Sequence, residues 1–263
     1  MPLAPSSDPL SASPPARPVA ASGEVQALRQ RLAAACQIAV LTGAGMSAES
    51  GVPTFRDDSS GYWSQFNPQE MASEAGFRAH PQRVWNWYAH RRAVIARVEP
   101  NAGHLALARW SRTHEGRMSV ITQNVDGLHQ RAGSAGVLAL HGELMRNRWL
   151  DRPRSCCDLQ RVAPGEPPSC PVCGNLLRPA VVWFGEALPA SVWQAAEQAA
   201  QGAEVLLVVG TSGAVYPAAG LAQIARRSGA HVVVINTQAT ELDAVASQCL
   251  TGSAARLLPA LFD

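Results

Sequence analysis

Thr42 to Arg56 reads TGAGMSAESGVPTFR and follows directly on the short apolar run Ile38-Ala39-Val40-Leu41. That run has the composition of a buried strand. Gly43-Ala44-Gly45-Met46-Ser47-Ala48 then fits G-x-G-x-x-G/A, where small residues let backbone amides approach a pyrophosphate at a helix start. In an ordinary dinucleotide-binding unit the helix continues for several turns. Here Gly51 and Pro53 stop it almost at once, glycine through its entropy and proline through its missing amide donor. Another kind of segment follows, carrying Phe55 and Arg56. The departure points away from hydride transfer and toward a site that treats the dinucleotide as a substrate.

Further runs extend the pattern outward. Met118 to Thr122, Glu204 to Gly210 and Ala230 to Ile235 are apolar and end in polar or small-residue turns: Gln123-Asn124-Val125-Asp126-Gly127, Thr211-Ser212-Gly213 and Asn236-Thr237. Ala-rich helical stretches at 191–202, 217–228 and 254–262 alternate with them. Strands alternating with helices predict an open parallel sheet wound on both faces. Ligands of such sheets bind beyond the carboxyl ends of the strands, where Gln123, Asn124, Asp126, Thr211, Ser212 and Asn236 fall. Any one of these could be an ordinary turn residue; four strand ends with polar or glycine-rich turns favour a shared pocket.

Composition narrows the class. Of 263 residues, 47% are hydrophobic and 16% charged, and the net charge is +2. An average protein has about 25% charged residues, so a well-buried α/β core is expected. The small net charge gives no ground for nucleic acid or an anionic membrane as partner, and no apolar run approaches the roughly 18–20 residues of a membrane span. Residues 1–23 are rich in Pro, Ala and Ser and read as a disordered tail, without the arginines of a transit peptide or the apolar stretch of a signal peptide. A cytoplasmic location is the default. The six cysteines do not suggest a secreted disulfide framework.

Together, GAGMSAESGVPTFR, QNVD (123–126), His141-Gly142-Glu143, VVWFGE (181–186), GTS (210–212) and Ile235-Asn236 closely resemble the sirtuins, NAD-dependent protein-lysine deacylases, in order and spacing. The resemblance covers about residues 24–262. It implies a Rossmann-like NAD-binding domain from 24–56, 103–145 and 179–263, with a smaller helical and zinc-bearing domain inserted as 57–102 and 146–178. It implies that an acyl-lysine oxygen displaces nicotinamide from NAD, with O-acyl-ADP-ribose as the final product. His141 would be the catalytic base, taking a proton from a ribose hydroxyl; read without the family, it could equally be a turn histidine bonded to backbone. Gly43, Ala44, Gly45, Ala48 and Glu49 would form the nucleotide loop, with Phe55 over the ribose and Arg56 near the phosphates. Gln123, Asn124 and Asp126 would contact nicotinamide and ribose, Gly210, Thr211 and Ser212 phosphate, Asn236 and Thr237 the adenosine ribose, and Ala254 the adenine side. Gln238 stands where many relatives carry an acid.

Arg83 to Arg97 reads as a helix on which Tyr88 and Arg91, three residues apart, share a face. The pair matches the Y-x-x-R of class III sirtuins, which prefer acyl groups ending in a carboxylate, such as succinyl and malonyl, over acetyl. A guanidinium fork and a phenol suit that group; the family-free alternative is an amphipathic helix with a packed tyrosine and a solvated arginine. Ala72, in MASEAGF, aligns with the small residue that enlarges the acyl pocket, although Met71, Ser73 and Glu74 depart from the usual neighbours. Val182, Phe184 and Gly185 would meet the substrate backbone by strand-like pairing, and the valine and phenylalanine are also plausible core residues. Cys170-Pro171-Val172-Cys173-Gly174 is a zinc knuckle. The first C-x-x-C of the family is missing, its positions holding Trp149 and Arg152, and Cys156 and Cys157 are adjacent thiols that rarely turn toward one metal without strain. Either the site re-forms with them or packing has replaced the metal. Two other readings remain beside deacylation: mono-ADP-ribosyl transfer to protein, and a non-catalytic NAD or ADP-ribose sensor.

Overall fold

The computed structural model describes residues 22–53 and 68–263. Residues 1–21 of the expected tail, with Phe55 and Arg56, lie outside the described residues, whereas Ser22 and Gly23, also expected in the tail, open the first helix. In chain order the large sheet takes β1 (Ile38–Thr42), β2 (Met118–Thr122), β3 (Leu138–Ala139), β6 (Val205–Val209), β7 (His231–Asn236) and β8 (Gln248–Thr251). All pairs are parallel in the order β3-β2-β1-β6-β7-β8, with Ile38 opposite both Met118 and Val205. This is the doubly wound, Rossmann-like order, reversing between β1 and β6.

Both faces of the sheet are covered, which is why its central strands are continuous apolar runs. Alternate residues of a strand point to opposite faces. Val40, Leu207 and Val233 therefore meet helices α1 (Ser22–Ala34), α5 (Ala102–Thr113) and α9 (Ala254–Phe262), through Leu32, Leu107 and Leu258. Leu41, Val208 and Val234 meet α7 (Ala190–Gly202) and α8 (Gly220–Arg227), through Ala200 and Leu221.

After β1 the chain makes two short 3-10 turns, Ala44–Met46 and Ala48–Ser50, and Gly51 ends them at φ +87°, a left-handed geometry that glycine adopts without steric cost. The truncated helix expected from Gly51 is what forms.

The remaining elements are α2 (Pro68–Met71), α3 (Glu74–Ala79), α4 (Pro81–Arg97), α6 (Leu128–Arg131) and the antiparallel pair β4 (Gly142–Trp149) and β5 (Leu177–Val181). Met71, Phe77, Val84, Trp87, Tyr88, Ile95, Leu144, Val181 and Trp183 form a separate core between α2–α4 and this pair. Arg92 anchors α4 on β4, donating to the Leu144 carbonyl at 2.7 Å and the Arg146 carbonyl at 3.0 Å. No helix among the described residues is long and apolar enough to cross a membrane.

Candidate active site

Beyond the carboxyl ends of β1 and β6 two loops meet backbone to backbone. Gly43 N–H donates to the Val209 carbonyl at 2.9 Å and Gly45 N–H to the Gly210 carbonyl at 2.8 Å. A Cβ on Gly43 would lie 2.7 Å from Thr211 Cβ, and one on Gly45 2.8 Å from Gly210 Cα. Glycine is required there by the facing loop before any ligand is considered. Ala44 and Ala48 open the two 3-10 turns, and the Glu49 carboxylate accepts the Ala255 N–H at 2.9 Å, at the first turn of α9 beside Ala254.

The other strand ends join this rim through hydrogen bonds. Gln123 Nε2 donates to Thr211 Oγ1 at 3.1 Å, and Asn124 Nδ2 to the Gly43 carbonyl at 3.0 Å and Ser47 Oγ at 3.2 Å. Ser47 Oγ donates to Asp126 Oδ2 at 2.7 Å, and the Leu128 N–H to Asp126 Oδ1 at 2.9 Å. Burial raises the Asp126 carboxyl above its ordinary range, against the pull of those two bonds. Asn236 Nδ2 donates to the Thr211 carbonyl at 2.9 Å while its Oδ1 accepts the Thr237 N–H at 2.8 Å, and Ser212 Oγ accepts the Ala214 N–H at 3.4 Å. The described residues expected at a nucleotide thus share one edge of the sheet. With the glycine amides spent between the loops, hydroxyls, side-chain amides and a buried carboxylate form a donor and acceptor set that fits a dinucleotide.

His141 sits between β3 and β4 with its Nδ1 2.9 Å from the Gln123 carbonyl. A carbonyl only accepts, so the ring proton is on Nδ1 and the lone pair on Nε2. Burial holds the imidazole below its ordinary 6.5, opposed by the same hydrogen bond. The result is a neutral ring with a basic nitrogen to spare.

Two further histidines were not anticipated. His104 on α5 and His129 on α6 are 0% and 1% exposed, their rings edge to face at 4.8 Å. The Asn101 N–H donates to His104 Nδ1 at 3.3 Å; His129 Nε2 lies 3.0 Å from Thr42 Oγ1, which donates to Thr122 Oγ1 at 2.8 Å. His104 Nε2 and His129 Nδ1 have no partner among the described residues. Burial pushes His104 down to about 4 and, with repulsion from His104 added, His129 to about 3.

On the other side of His141 lies the segment 182–186. Val182 N–H donates to the His141 carbonyl at 2.9 Å, Phe184 N–H to the Ala72 carbonyl at 2.8 Å, and Trp183 N–H to Glu186 Oε2 at 2.8 Å. The strand ends at Val181, and the next three amides are spent inside the chain. Gly185 turns the segment at φ +85°. Tyr88 and Ala72 face this segment in the same core, and Arg91 stacks its guanidinium 4.9 Å from the Trp87 ring centroid. Tyr88 is buried, not solvated, and its hydroxyl accepts the Trp183 indole N–H at 2.9 Å.

The Sir2 family model matches residues 43–217. A NAD-dependent protein deacylase of Ralstonia nicotianae is 52% identical over 235 residues, 89% of this chain and 94% of the relative. The chain belongs to the Sir2 family. A second NAD-dependent protein deacylase, of Mycolicibacterium paratuberculosis, is 49% identical across 86% of this Sir2 chain and 96% of its own length. A solved Sir2 homologue–NAD complex superposes with a TM-score of 0.81 at 41% identity, covering 90% of this chain and 92% of that one. A Sir2 bound to acetylated peptide gives 0.77 at 29% identity over 89% and 95%.

In this Sir2 chain the zinc module departs from a double C-x-x-C pattern and still assembles four thiols. The sulfurs of Cys156, Cys157, Cys170 and Cys173 all lie within 4.8 Å of one another, with Cys157 and Cys173 at 3.6 Å. Of the two alternatives, the re-formed site is the one the fold supports: Cys157 N–H turns back to the Arg154 carbonyl at 2.9 Å, and both adjacent thiols reach the knuckle. Sulfurs 2.3 Å from a tetrahedral zinc stand about 3.8 Å apart, so the set fits a structural zinc. Backbone N–H groups of Cys173 and Val172 draw the Cys170 thiol down to about 7, toward the thiolate that ligates metal. Trp149, where the family's first pair would begin, is instead packed with Cys170 and Leu177.

Sequence reasoning missed Ser47, the histidine pair, Trp183 and the ion pair between Arg178 and Glu186. Arg178 is 0% exposed, donates from Nη2 to Glu186 Oε2 at 3.0 Å and to the Val181 carbonyl at 2.7 Å, and binds Glu186 Oε1 through Nη1. The available signal was an arginine inside an apolar strand with a glutamate eight residues on.

Proposed function

We propose that this NAD-dependent deacylase removes acyl groups from protein lysines with a preference for succinyl and malonyl, and acetyl less efficiently. The observation that carries deacylation is His141, whose Nδ1–H is fixed on the Gln123 carbonyl and whose Nε2 is free to act as base. NAD is the co-substrate and supplies the ribosyl carbon to which the acyl oxygen is transferred. His141 Nε2 takes a proton from a ribose hydroxyl, Asn124 and Asp126 orient the nicotinamide end, and Thr211, Ser212 and Asn236 hold the phosphates and the adenosine ribose. Nicotinamide leaves, and with the uptake of one water the acyl–lysine C–N bond breaks, freeing the lysine amine and leaving the acyl group on ADP-ribose. General base catalysis by such a histidine contributes roughly 10²–10⁴-fold.

The acyl preference rests on Tyr88 and Arg91, three residues apart on α4, beside Ala72 and Phe184. Burial raises the Tyr88 phenol to about 12, so it stays a donor at working pH. Zinc on the four thiols would hold the small module, and 146–178 with 57–102 would form the second domain. Six cysteines, none in a disulfide, suit a reducing compartment, and we assign the cytoplasm.

The deciding assay measures nicotinamide release from NAD with and without succinyl-, malonyl- and acetyl-lysine peptides. Release that depends on peptide, with the acyl group recovered on ADP-ribose, is expected. Radiolabel from the ADP-ribose moiety on protein would mean ADP-ribosyl transfer, and NAD binding without release would mean a sensor.

A further inference from the structure

Trp183 is 1% exposed and held on every side. The Arg178 guanidinium lies over its ring at 3.2 Å, Phe77 packs against it at 5.3 Å, and its backbone N–H is bound by the carboxylate that pairs with Arg178. The indole cannot turn without breaking the ion pair or the aromatic packing. Its Nε1–H is thus a fixed donor, aimed at the Tyr88 hydroxyl 2.9 Å away.

A phenol O–H prefers the plane of its ring and has two opposed orientations there. A fixed N–H donor occupies the hydroxyl's lone pair on one side and excludes the orientation that would point hydrogen against hydrogen. The proton of Tyr88 is then left for an acceptor on the other side. An ionised carboxylate is the acceptor that rewards such an arrangement, because charge-assisted hydrogen bonds are strong and directional.

We propose that Trp183, clamped by Arg178 and Glu186, is a positioning residue that aims the Tyr88 hydroxyl at the distal carboxylate of the acyl chain and so helps set acyl specificity. This deepens, and rests on, the reading of Tyr88 and Arg91 given above. Trp183 itself touches no reacting atom. Its contribution is to fix beforehand an orientation that the substrate would otherwise have to select, which lowers the ordering cost of binding.

The test is a double-mutant cycle on kcat/KM for one peptide carrying succinyl-lysine or acetyl-lysine, using wild type, Trp183→Phe, Tyr88→Phe and the double variant. Phenylalanine keeps an aromatic face against Arg178 and Phe77 and removes the N–H donor together with the ring that carries it, a loss of packing felt equally by both substrates. Trp183→Phe should lower the succinyl-to-acetyl ratio roughly 3- to 10-fold, the usual worth of one hydrogen bond, chiefly through the succinyl KM. In the Tyr88→Phe background it should lower the ratio no further, since no hydroxyl remains to be aimed. Equal losses on both substrates, or the same fall in the Tyr88→Phe background, would overturn the proposal. If Tyr88→Phe falls in ratio and Trp183→Phe does not, the proposal fails and the carboxylate reading stands. If Tyr88→Phe keeps the wild-type ratio, both fail. Should Trp183→Phe not fold, benzothienylalanine at 183 keeps the bicyclic shape without the donor, and the same outcomes apply.

Discussion

Acidification should destabilise this protein through His104 and His129 well before its carboxylates protonate. Both rings are buried and neutral in the native state, with values near 4 and 3 in place of the ordinary 6.5. The sign follows from which state binds more protons. Above 6.5 neither state protonates these rings, and the full stability is present. Between 6.5 and about 4 the unfolded chain takes up protons that the native chain refuses, so stability falls as pH falls. At pH 5 each ring costs about 2 kcal/mol and the pair about 4 kcal/mol, a large share of the ~5–15 kcal/mol a domain possesses. Of the other shifted groups, His141 and His231 act in the same direction, whereas the raised Asp126 carboxyl opposes them at lower pH. Urea unfolding followed by far-UV circular dichroism at pH 8, 6.5 and 5 measures the slope, and His129→Asn should remove about half of this pair's share. A free energy of unfolding that changes by less than about 1 kcal/mol between pH 8 and 5 would refute the buried neutral pair.

The remaining expectations concern chemistry. His141→Ala should retain NAD binding by calorimetry and lose peptide deacylation by roughly 10²–10⁴-fold. Because burial lowers the pKa of His141, the acid limb of the wild-type kcat/KM profile should lie below 6.5. Elemental analysis should find close to one zinc per chain, and Cys170→Ala or Cys173→Ala should lower both zinc content and thermal stability, since structural zinc is coupled to folding. Arg91→Met should cost roughly 10- to 150-fold in kcat/KM on succinyl-lysine and far less on acetyl-lysine; rates that fall together would reduce Arg91 to a structural role.

Much of the nucleotide end was legible because local chemistry dictates it. β1, β2, β6 and β7 are apolar runs ended by glycine or polar turns, and Gly51 stops the first helix by itself. β8 is not legible in this way: Gln248–Thr251 is short, half polar and at the edge, and pairs only because β7 presents an open ladder. The zinc set was half legible. The knuckle has a local signature, whereas the fit of Cys156 with Cys157 depends on a turn whose geometry no spacing rule encodes. Arg178, Glu186, Trp183 and Tyr88 were opaque as a group, since Trp183 and Tyr88 stand far apart in the chain and meet only when α4 docks on β4.

The loop contact at Gly43, Gly45 and Gly210 bears on how such an enzyme can diversify. A Cβ at Gly43, Gly45 or Gly210 collides with the facing loop. Single steps at these three positions are therefore closed, and both loops would have to be rebuilt at once. The acyl end is read by side chains instead, among them Arg91, half-buried on α4. Divergence in what the enzyme removes should run far ahead of divergence in what it consumes, and a designer seeking a new acyl specificity should leave the first loop alone.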